Sequence, residues 1–319
     1  MHRISFEGRA VIVTGAGGGL GRSYALELAR RGAQVLVNDL GGALDGSGGS
    51  SKPADGVVDA IQGIGGIAAA SYDSVATARG GRLVVESCLD AFGRLDAVIN
   101  NAGNLRYADF DELGDDDVDA LVATHLLGAF HVSRPAFRAM KAGGGRFVFT
   151  SSGAGLFGNA RQAPYSAAKA GLLGLMNAVA IEGEPHGIRA NSVLPVAHTR
   201  MADGTDWTRI RPQDAVRMAG LDKLGDTFGA DFVTPLVVWL ASDACDVTQR
   251  AYSAAYGRYA RVFVGVTPGW YGPREAPAAA EDVRDHLAEI EDASRSFVPG
   301  SVFDEVGYVI ENLPAPRVR

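Results

Sequence analysis

Residues 9–21, Arg9-Ala10-Val11-Ile12-Val13-Thr14-Gly15-Ala16-Gly17-Gly18-Gly19-Leu20-Gly21, decide the fold. The run from Ala10 to Val13 is apolar and β-branched, as a buried strand requires, and it ends on glycines. From Leu20 to Arg31 the apolar residues Leu20, Tyr24 and Leu28 recur at helical spacing. A strand, a glycine-rich turn and a helix therefore follow one another. In that setting the turn is where a dinucleotide's pyrophosphate meets backbone N–H groups and the positive end of a helix dipole. Glycine lets the backbone come close to such phosphates. The spacing of Gly15, Gly19 and Gly21 departs from G-x-G-x-x-G, so the reading leans on the strand and helix around it. The next strand, Gln34-Val35-Leu36-Val37-Asn38-Asp39, ends in a carboxylate. A carboxylate there can accept both ribose hydroxyls of NAD and repels the 2′-phosphate of NADP, so the expected cofactor is NAD.

Further along the chain the alternation continues. Helices are expected near 54–64, 76–92, 116–141 and 163–184, and strands near 67–73, 95–101, 146–151 and 188–194. Near-continuous apolar strands alternating with helices imply an α/β, Rossmann-like, doubly wound parallel sheet with helices on both faces. After Pro195 the pattern loosens to about residue 228. An amphipathic helix at 232–242 and a last strand at 261–266 then close the domain. The expected organisation is a catalytic domain over 1–268 and a C-terminal helical extension over 269–319, helical near 278–296 and 303–312, packing on the core or across a dimer. Residues 41–51, GGALDGSGGSS, read either as a solvated linker or as a flap over the cofactor's adenine end.

Composition removes several classes of function. A net charge of −7, with no run of Lys or Arg, argues against a nucleic-acid surface. No apolar run approaches the ~20 residues of a membrane span. The opening residues lack a secretory h-region and Pro316-Arg317-Val318-Arg319 is not a peroxisomal address, so a cytoplasmic protein is expected. Cys88 and Cys245 have neither metal nor redox spacing and read as buried packing thiols. His131, His186 and His198 have no companions at ligand spacing, and no metal is expected.

Chemistry gathers at Ala163-Pro164-Tyr165-Ser166-Ala167-Ala168-Lys169. In a helix Tyr165 and Lys169 share one face, with Cβ atoms about 5–6 Å apart. A cation beside a phenol favours the phenolate, and so the tyrosine pKa is expected to fall toward the range of a general base. Ser152, at the end of the strand Arg146–Ser151, can offer its hydroxyl to the same substrate oxygen. A proton taken from a carbinol oxygen is useful only with a hydride acceptor, which the glycine-rich turn and Asp39 provide for.

These residues together resemble the short-chain dehydrogenase/reductase family: the Thr-Gly-x-x-x-Gly-x-Gly turn of Thr14–Gly21, Asn100-Asn101-Ala102-Gly103, Ser152, and Tyr165-x-x-x-Lys169. The resemblance implies that Tyr165 is the acid/base, that Ser152 polarises the substrate oxygen, and that Lys169 holds the nicotinamide ribose. For the cofactor it implies Gly15, Gly19, Leu20 and Gly21 at the pyrophosphate, Asp39 and Leu40 at the adenosine ribose, Asp73 and Ser74 at the adenine, Asn101, Ala102 and Gly103 beside the ribose, and Pro195, Ala197 and Thr199 at the carboxamide. The stretches Val37–Gly42, Tyr72–Val75, Asp90–Arg94, Tyr165–Leu175 and Ala180–Gly183 further resemble the (3R)-hydroxyacyl-CoA dehydrogenase modules of peroxisomal multifunctional enzymes, which also carry 17β-hydroxysteroid dehydrogenase activity. A 3-hydroxyacyl-CoA substrate is implied, with a hydroxysteroid or another hydrophobic alcohol as the alternative. Arg200, Arg209, Arg211 and Arg217 either meet coenzyme A phosphates or form a solvated basic face. His125 stands where the wider family has an asparagine in a proton relay; it is either a packed histidine or a group that helps pass the proton. The resemblance also implies a homodimer or homotetramer, paired through the helices near 116–141 and 163–184. Two other readings stay open. One is a catalytically silent, cofactor-binding regulatory protein; the other is an epimerase or dehydratase that shares the Tyr and Lys.

Overall fold

The computed structural model describes residues 3–198, 214, 216, 220–273 and 276–314. The chain forms two compact units, Met1–Arg261 and Val262–Arg319. In the first unit the strands β1 (Ala10–Thr14), β2 (Gln34–Asn38), β3 (Ile67–Ser71), β4 (Ala97–Asn100), β5 (Gly145–Thr150) and β6 (Ile188–Val196) alternate with helices. The helices are α1 (Gly19–Arg30), α2 (Lys52–Gly63), α3 (Ala78–Phe92), α4 (Asp115–Val122), α5 (Gly128–Met140), α6 (Gly153–Phe157) and α7 (Ala163–Gly183). Helix α8 (Thr234–Ala241) and the strands β7 (Arg250–Ala255) and β8 (Arg258–Val262) follow.

The sheet runs in the order β3-β2-β1-β4-β5-β6-β7-β8, and its pairs from β3 to β7 are parallel. Alternation along β1 explains why both faces are covered. Val11 and Val13 pack with Tyr24, Leu28, Ile61 and Val237, whereas Ala10 and Ile12 pack with Val84, Val132, Phe147 and Leu172. A strand buried on both sides has no polar positions to give up, which is why β1 reads as one apolar run. Chain order reverses at β1, between β2 and β4, and in doubly wound sheets the crevice at the carboxyl ends of such strands receives ligands.

Five elements differ from the sequence expectation. The last strand does not lie at 261–266: β8 spans Arg258–Val262, and β7 before it was not foreseen. The β7 sequence, Arg-Ala-Tyr-Ser-Ala-Ala, holds no β-branched residue and so carries little strand signal. The two strands join through Tyr256 and Gly257, both left-handed, with φ of 54° and 78°. Helix α8 is not amphipathic, because Leu236, Val237, Val238, Leu240 and Ala241 bury nearly its whole circumference. The expected helix at 278–296 breaks into α9 (Ala280–Asp285), α10 (Leu287–Ile290) and a short turn, Ala293–Arg295; α11 (Val302–Glu311) follows. The long helix from residue 115 to 140 forms, but a π turn at Ala123–Leu127 interrupts it at His125.

Candidate active site

The turn after β1 is held from three sides. Gly15 and Gly19 take φ of 64° and 52°, a conformation that a Cβ disfavours. A Cβ on Gly21 would lie 2.2 Å from the Gly15 carbonyl oxygen. Thr14 Oγ1 accepts from the main-chain N–H groups of Asn101 (2.9 Å) and Ala102 (3.0 Å). Asn101 Nδ2 in turn donates to the Thr14 and Gly15 carbonyls at 3.0 and 3.1 Å. The tips of β1 and β4 are thereby locked together. Asp39, just beyond β2, accepts from Gly17 N and Gly41 N, both at 2.7 Å, and so ties the turn to the start of the 41–51 loop.

That loop is not a free linker. Leu44 O accepts from Leu105 N at 2.9 Å, and Arg106 Nε donates to Asp45 O at 3.0 Å while its Nη1 meets Asp117 Oδ1 at 2.8 Å. Gly42, Ala43, Leu44 and Gly46 consequently line a cleft of about 630 Å³ above the sheet's carboxyl edge. The same cleft is lined by Gly15, Gly19, Leu20, Asp39, Leu40, Asp73, Ser74, Asn101, Ala102, Gly103, Ser152, Tyr165, Lys169, Pro195 and Ala197. Of the residues singled out by the sequence, Gly21 instead packs beneath the turn, and Thr199 lies outside the described residues, as do Arg200, Arg209, Arg211 and Arg217. Sequence reasoning missed Tyr107, Thr150, Phe157, Asn159, Gln162 and Phe228, which also line the cleft. Gln162 carried a signal, since it precedes Tyr165 by one helical turn, and Thr150 closes the strand that leads to Ser152; Phe157 ends the short helix α6, and Tyr107, Asn159 and Phe228 come from loops whose path the sequence does not reveal.

Ser152 caps α6, its Oγ accepting from Ala154 N at 3.2 Å, and this fixes it at the head of β5 beside Tyr165. Tyr165 and Lys169 rise from α7 into the same place, with Lys169 Nζ 5.6 Å from the phenol ring centre. The expected fall in the tyrosine pKa does not occur in the protein alone. Burial raises it above the ordinary phenol value, outweighing the Ser152 hydroxyl, which pulls it down. Lys169, only 4% exposed, is itself brought down to about 7 by burial, and its Nζ donates to Thr150 O at 2.6 Å. The ammonium is therefore turned to the Thr150 carbonyl rather than to the phenol.

His125 stands edge-on to Tyr165, ring centres 5.1 Å apart, and its Nε2 donates to Asn104 O at 2.7 Å. Burial and the Lys169 charge hold its pKa well below the histidine range, so the ring is neutral. A cavity of about 10 Å³, about the least space that one water needs, lies between His125, Thr124, Asn100 and Lys169.

The donor set fits a dinucleotide. Backbone N–H groups at the head of α1 suit a pyrophosphate, Asp39 keeps free lone pairs for hydroxyls, and the buried Thr150 Oγ1 has no partner among the described residues. Among the described residues no group of three or more His, Cys, Asp or Glu side chains is placed to hold a metal ion, and no helix is long and apolar enough to cross a membrane.

The profile of the short chain dehydrogenases matches residues 9–208. The peroxisomal multifunctional enzyme type 2 of Mus musculus is 40% identical over 316 residues, which are 97% of this chain and 40% of that protein. A short-chain type dehydrogenase/reductase of Mycobacterium tuberculosis is 42% identical over 295 residues, 92% of this chain and 97% of that protein. Among solved structures, the full-length peroxisomal multifunctional enzyme type 2 of Drosophila melanogaster superposes with a TM-score of 0.76 at 30% identity, over 97% of this chain and 50% of that one. A short chain dehydrogenase of Mycobacterium avium gives 0.74 at 36%, over 89% and 95%. The chain thus spans about two fifths of the mouse enzyme and nearly all of each mycobacterial one. A phenol, a lysine and a serine above a nucleotide crevice are what removal of a proton and a hydride from one carbinol demands, and the sequence match covers the same strands and helices: this chain is an oxidoreductase and belongs to the short-chain dehydrogenase family.

Proposed function

We propose that the protein is an NAD-dependent dehydrogenase that oxidises (3R)-3-hydroxyacyl-CoA to 3-oxoacyl-CoA. Residues 1–268 form its catalytic domain and 269–319 an extension to it, and it works in the cytoplasm as a homodimer or homotetramer. The observation that carries the reading is the convergence of Ser152, Tyr165 and Lys169 on the cleft that Asp39 borders. The relatives named as multifunctional enzymes support the substrate class.

Gly15, Gly19 and Leu20 would hold the pyrophosphate, Asp39 and Leu40 the adenosine ribose, Asp73 and Ser74 the adenine, and Asn101, Ala102 and Gly103 the adjoining ribose. Pro195 and Ala197 would meet the carboxamide, and Thr199 by the family resemblance. Bound NAD supplies the hydride acceptor. Ser152 donates its hydroxyl hydrogen to the substrate oxygen and Tyr165 Oη takes the proton of that oxygen. Lys169 would hold the nicotinamide ribose and, in its protonated form, favour the phenolate beside it.

The test is the initial rate of NADH appearance with short, long and steroid-side-chain 3-hydroxyacyl-CoAs of both configurations. Turnover of the R forms is expected; turnover of free hydroxysteroids alone overturns the assignment. That second reading has one observation in its favour, an aromatic wall. Tyr107 and Phe228 line the cleft with Phe157, which is 75% exposed at its lip.

Two smaller tests address the cofactor. Asp39→Ala removes a charged acceptor, for which about 1.5–3 kcal/mol is typical. The Kd for NAD should rise about 10- to 100-fold in a calorimetric titration, with the preference over NADP narrowing. An unchanged NAD to NADP ratio would refute the role of Asp39. Arg106→Ala cuts the partly exposed tie between the 41–51 loop and Asp117. Such ties are worth at most about 1 kcal/mol, so NAD release in stopped flow should quicken only a few-fold. An unchanged rate would show that the loop does not hold the cofactor.

A further inference from the structure

Phe228 lines the cleft together with Pro195, Val196 and Ala197. His198, next along the chain, ties it there: its main-chain N donates to Phe228 O at 2.6 Å, and its ring stands edge-on to the Phe228 ring with centres 5.7 Å apart. Tyr256, which is not among the residues that line the cleft, packs on the Phe228 ring from behind, ring centres 5.3 Å apart and planes inclined by 30°. It sits in the turn between β7 and β8 with a left-handed φ of 54°. A bulky L residue is strained in that conformation, which Gly257 beside it adopts freely at 78°. A tyrosine persists there only where its surroundings hold it, and here they do. Tyr259 Oη donates to Phe232 O at 2.9 Å, and a Cβ on Gly257 would lie 3.6 Å from the Phe232 ring, so the turn is pinned to the stretch that follows Phe228.

We infer that Tyr256 is a positioning residue for substrate selectivity: acting through Phe228, it fixes the width of the cleft and so limits the bulk of the group carried on the reacting carbon. The inference rests on the proposed function and deepens it. An aromatic ring on a loop can swing aside to admit a larger substrate only if there is space behind it. Tyr256 fills that space, and His198 closes the edge, so Phe228 cannot withdraw. Phe157, by contrast, is 75% exposed and has room to turn aside. A wall that does not yield discriminates by size, and in a rigid apolar pocket one methylene is worth about 10- to 200-fold in kcat/KM. Such a wall has no polar group to offer, which suits a hydrocarbon chain.

Tyr256→Gly removes the ring and relieves the left-handed backbone, so the turn should stay folded, whereas Tyr256→Phe keeps the ring. The readout is kcat and KM, with NADH, for acetoacetyl-CoA and for a 3-oxoacyl-CoA branched at C4. In Tyr256→Gly the ratio of kcat/KM, branched over unbranched, should rise about 10-fold or more through a lower KM for the branched substrate, with acetoacetyl-CoA unchanged. Tyr256→Phe should hold the wild-type ratio. Phe228→Ala should raise the ratio too, and adding Tyr256→Gly to it should change little, because both act on one wall. An unchanged or lower ratio in Tyr256→Gly overturns the inference, as does additivity in the double variant or a loss shared by both substrates. If wild-type protein reduces no acyl-CoA, the proposed function falls, and the same ratio taken on a small and a bulky ketone decides the inference separately; turnover of neither class removes both.

Discussion

Tyr165→Phe lowers kcat/KM by about 10²- to 10⁴-fold, the usual worth of a positioned acid/base, while the protein stays folded and NAD still binds. The ring that packs edge-on to His125 is retained, and only the Oη is lost. Without that oxygen the carbinol proton has no acceptor, because Lys169 points at Thr150 O and Ser152 can donate but is far too weak a base. Initial rates combined with a cofactor titration decide it, and turnover near the wild-type value would end the assignment of roles. In the wild-type enzyme oxidation needs the deprotonated phenol, so its rate must rise with pH, whereas ketone reduction needs the protonated phenol and must fall. Burial raises Tyr165 and lowers Lys169 to about 7, so the two profiles report a coupled pair rather than one group. The same linkage acts on stability. A lysine whose folded pKa lies below its unfolded value loses its proton earlier in the native state, so the protein should gain stability from about pH 7 toward pH 10.5. Above the ordinary phenol range the raised Tyr165 works in the opposite direction, because the native state then holds its proton longer than the unfolded chain does.

Gly21→Ala should damage binding and fold together. The added Cβ would sit 2.2 Å from Gly15 O and 2.7 Å from Asn101 Nδ2, both parts of the brace between β1 and β4. Neither is the loose end of a flexible side chain, so the turn itself has to move. Overpacking of this kind costs roughly 1–3 kcal/mol of stability. A shift near 1 Å in a positioning element can cost about 10²-fold in rate. Thermal melts and NAD titration together check this; a variant that keeps both its melting temperature and its cofactor affinity would show that the turn is more pliable than its contacts imply. Gly18→Ala is the control for the thermal melt alone, since a Cβ there meets no protein atom within 4 Å although the residue lines the cleft.

The elements that the sequence made legible are those whose side chains repeat a period. β1, β2 and β4 are buried on both faces and read as apolar runs, and the catalytic helix showed itself by Tyr165 and Lys169. β7 escaped because alanine and serine fill it, and its strand state comes from pairing with β6 rather than from propensity. The tyrosine pKa was misjudged for a different reason. Spacing says that Lys169 stands near Tyr165, but not that both are buried or that the ammonium bonds a carbonyl. Among the site residues, those on strand tips and helix faces were legible, whereas Tyr107, Phe157 and Phe228 come from segments whose course depends on tertiary contacts alone.

The two tethers on Asp39 bear on attempts to redesign the coenzyme preference. Each carboxylate oxygen already accepts one main-chain N–H, from Gly17 on the phosphate turn and Gly41 at the root of the overlying loop. Exchanging this side chain for a cation to admit a 2′-phosphate would free both anchors at once. A successful switch to NADP therefore requires a redesigned loop that anchors itself, supplied along with the new charge.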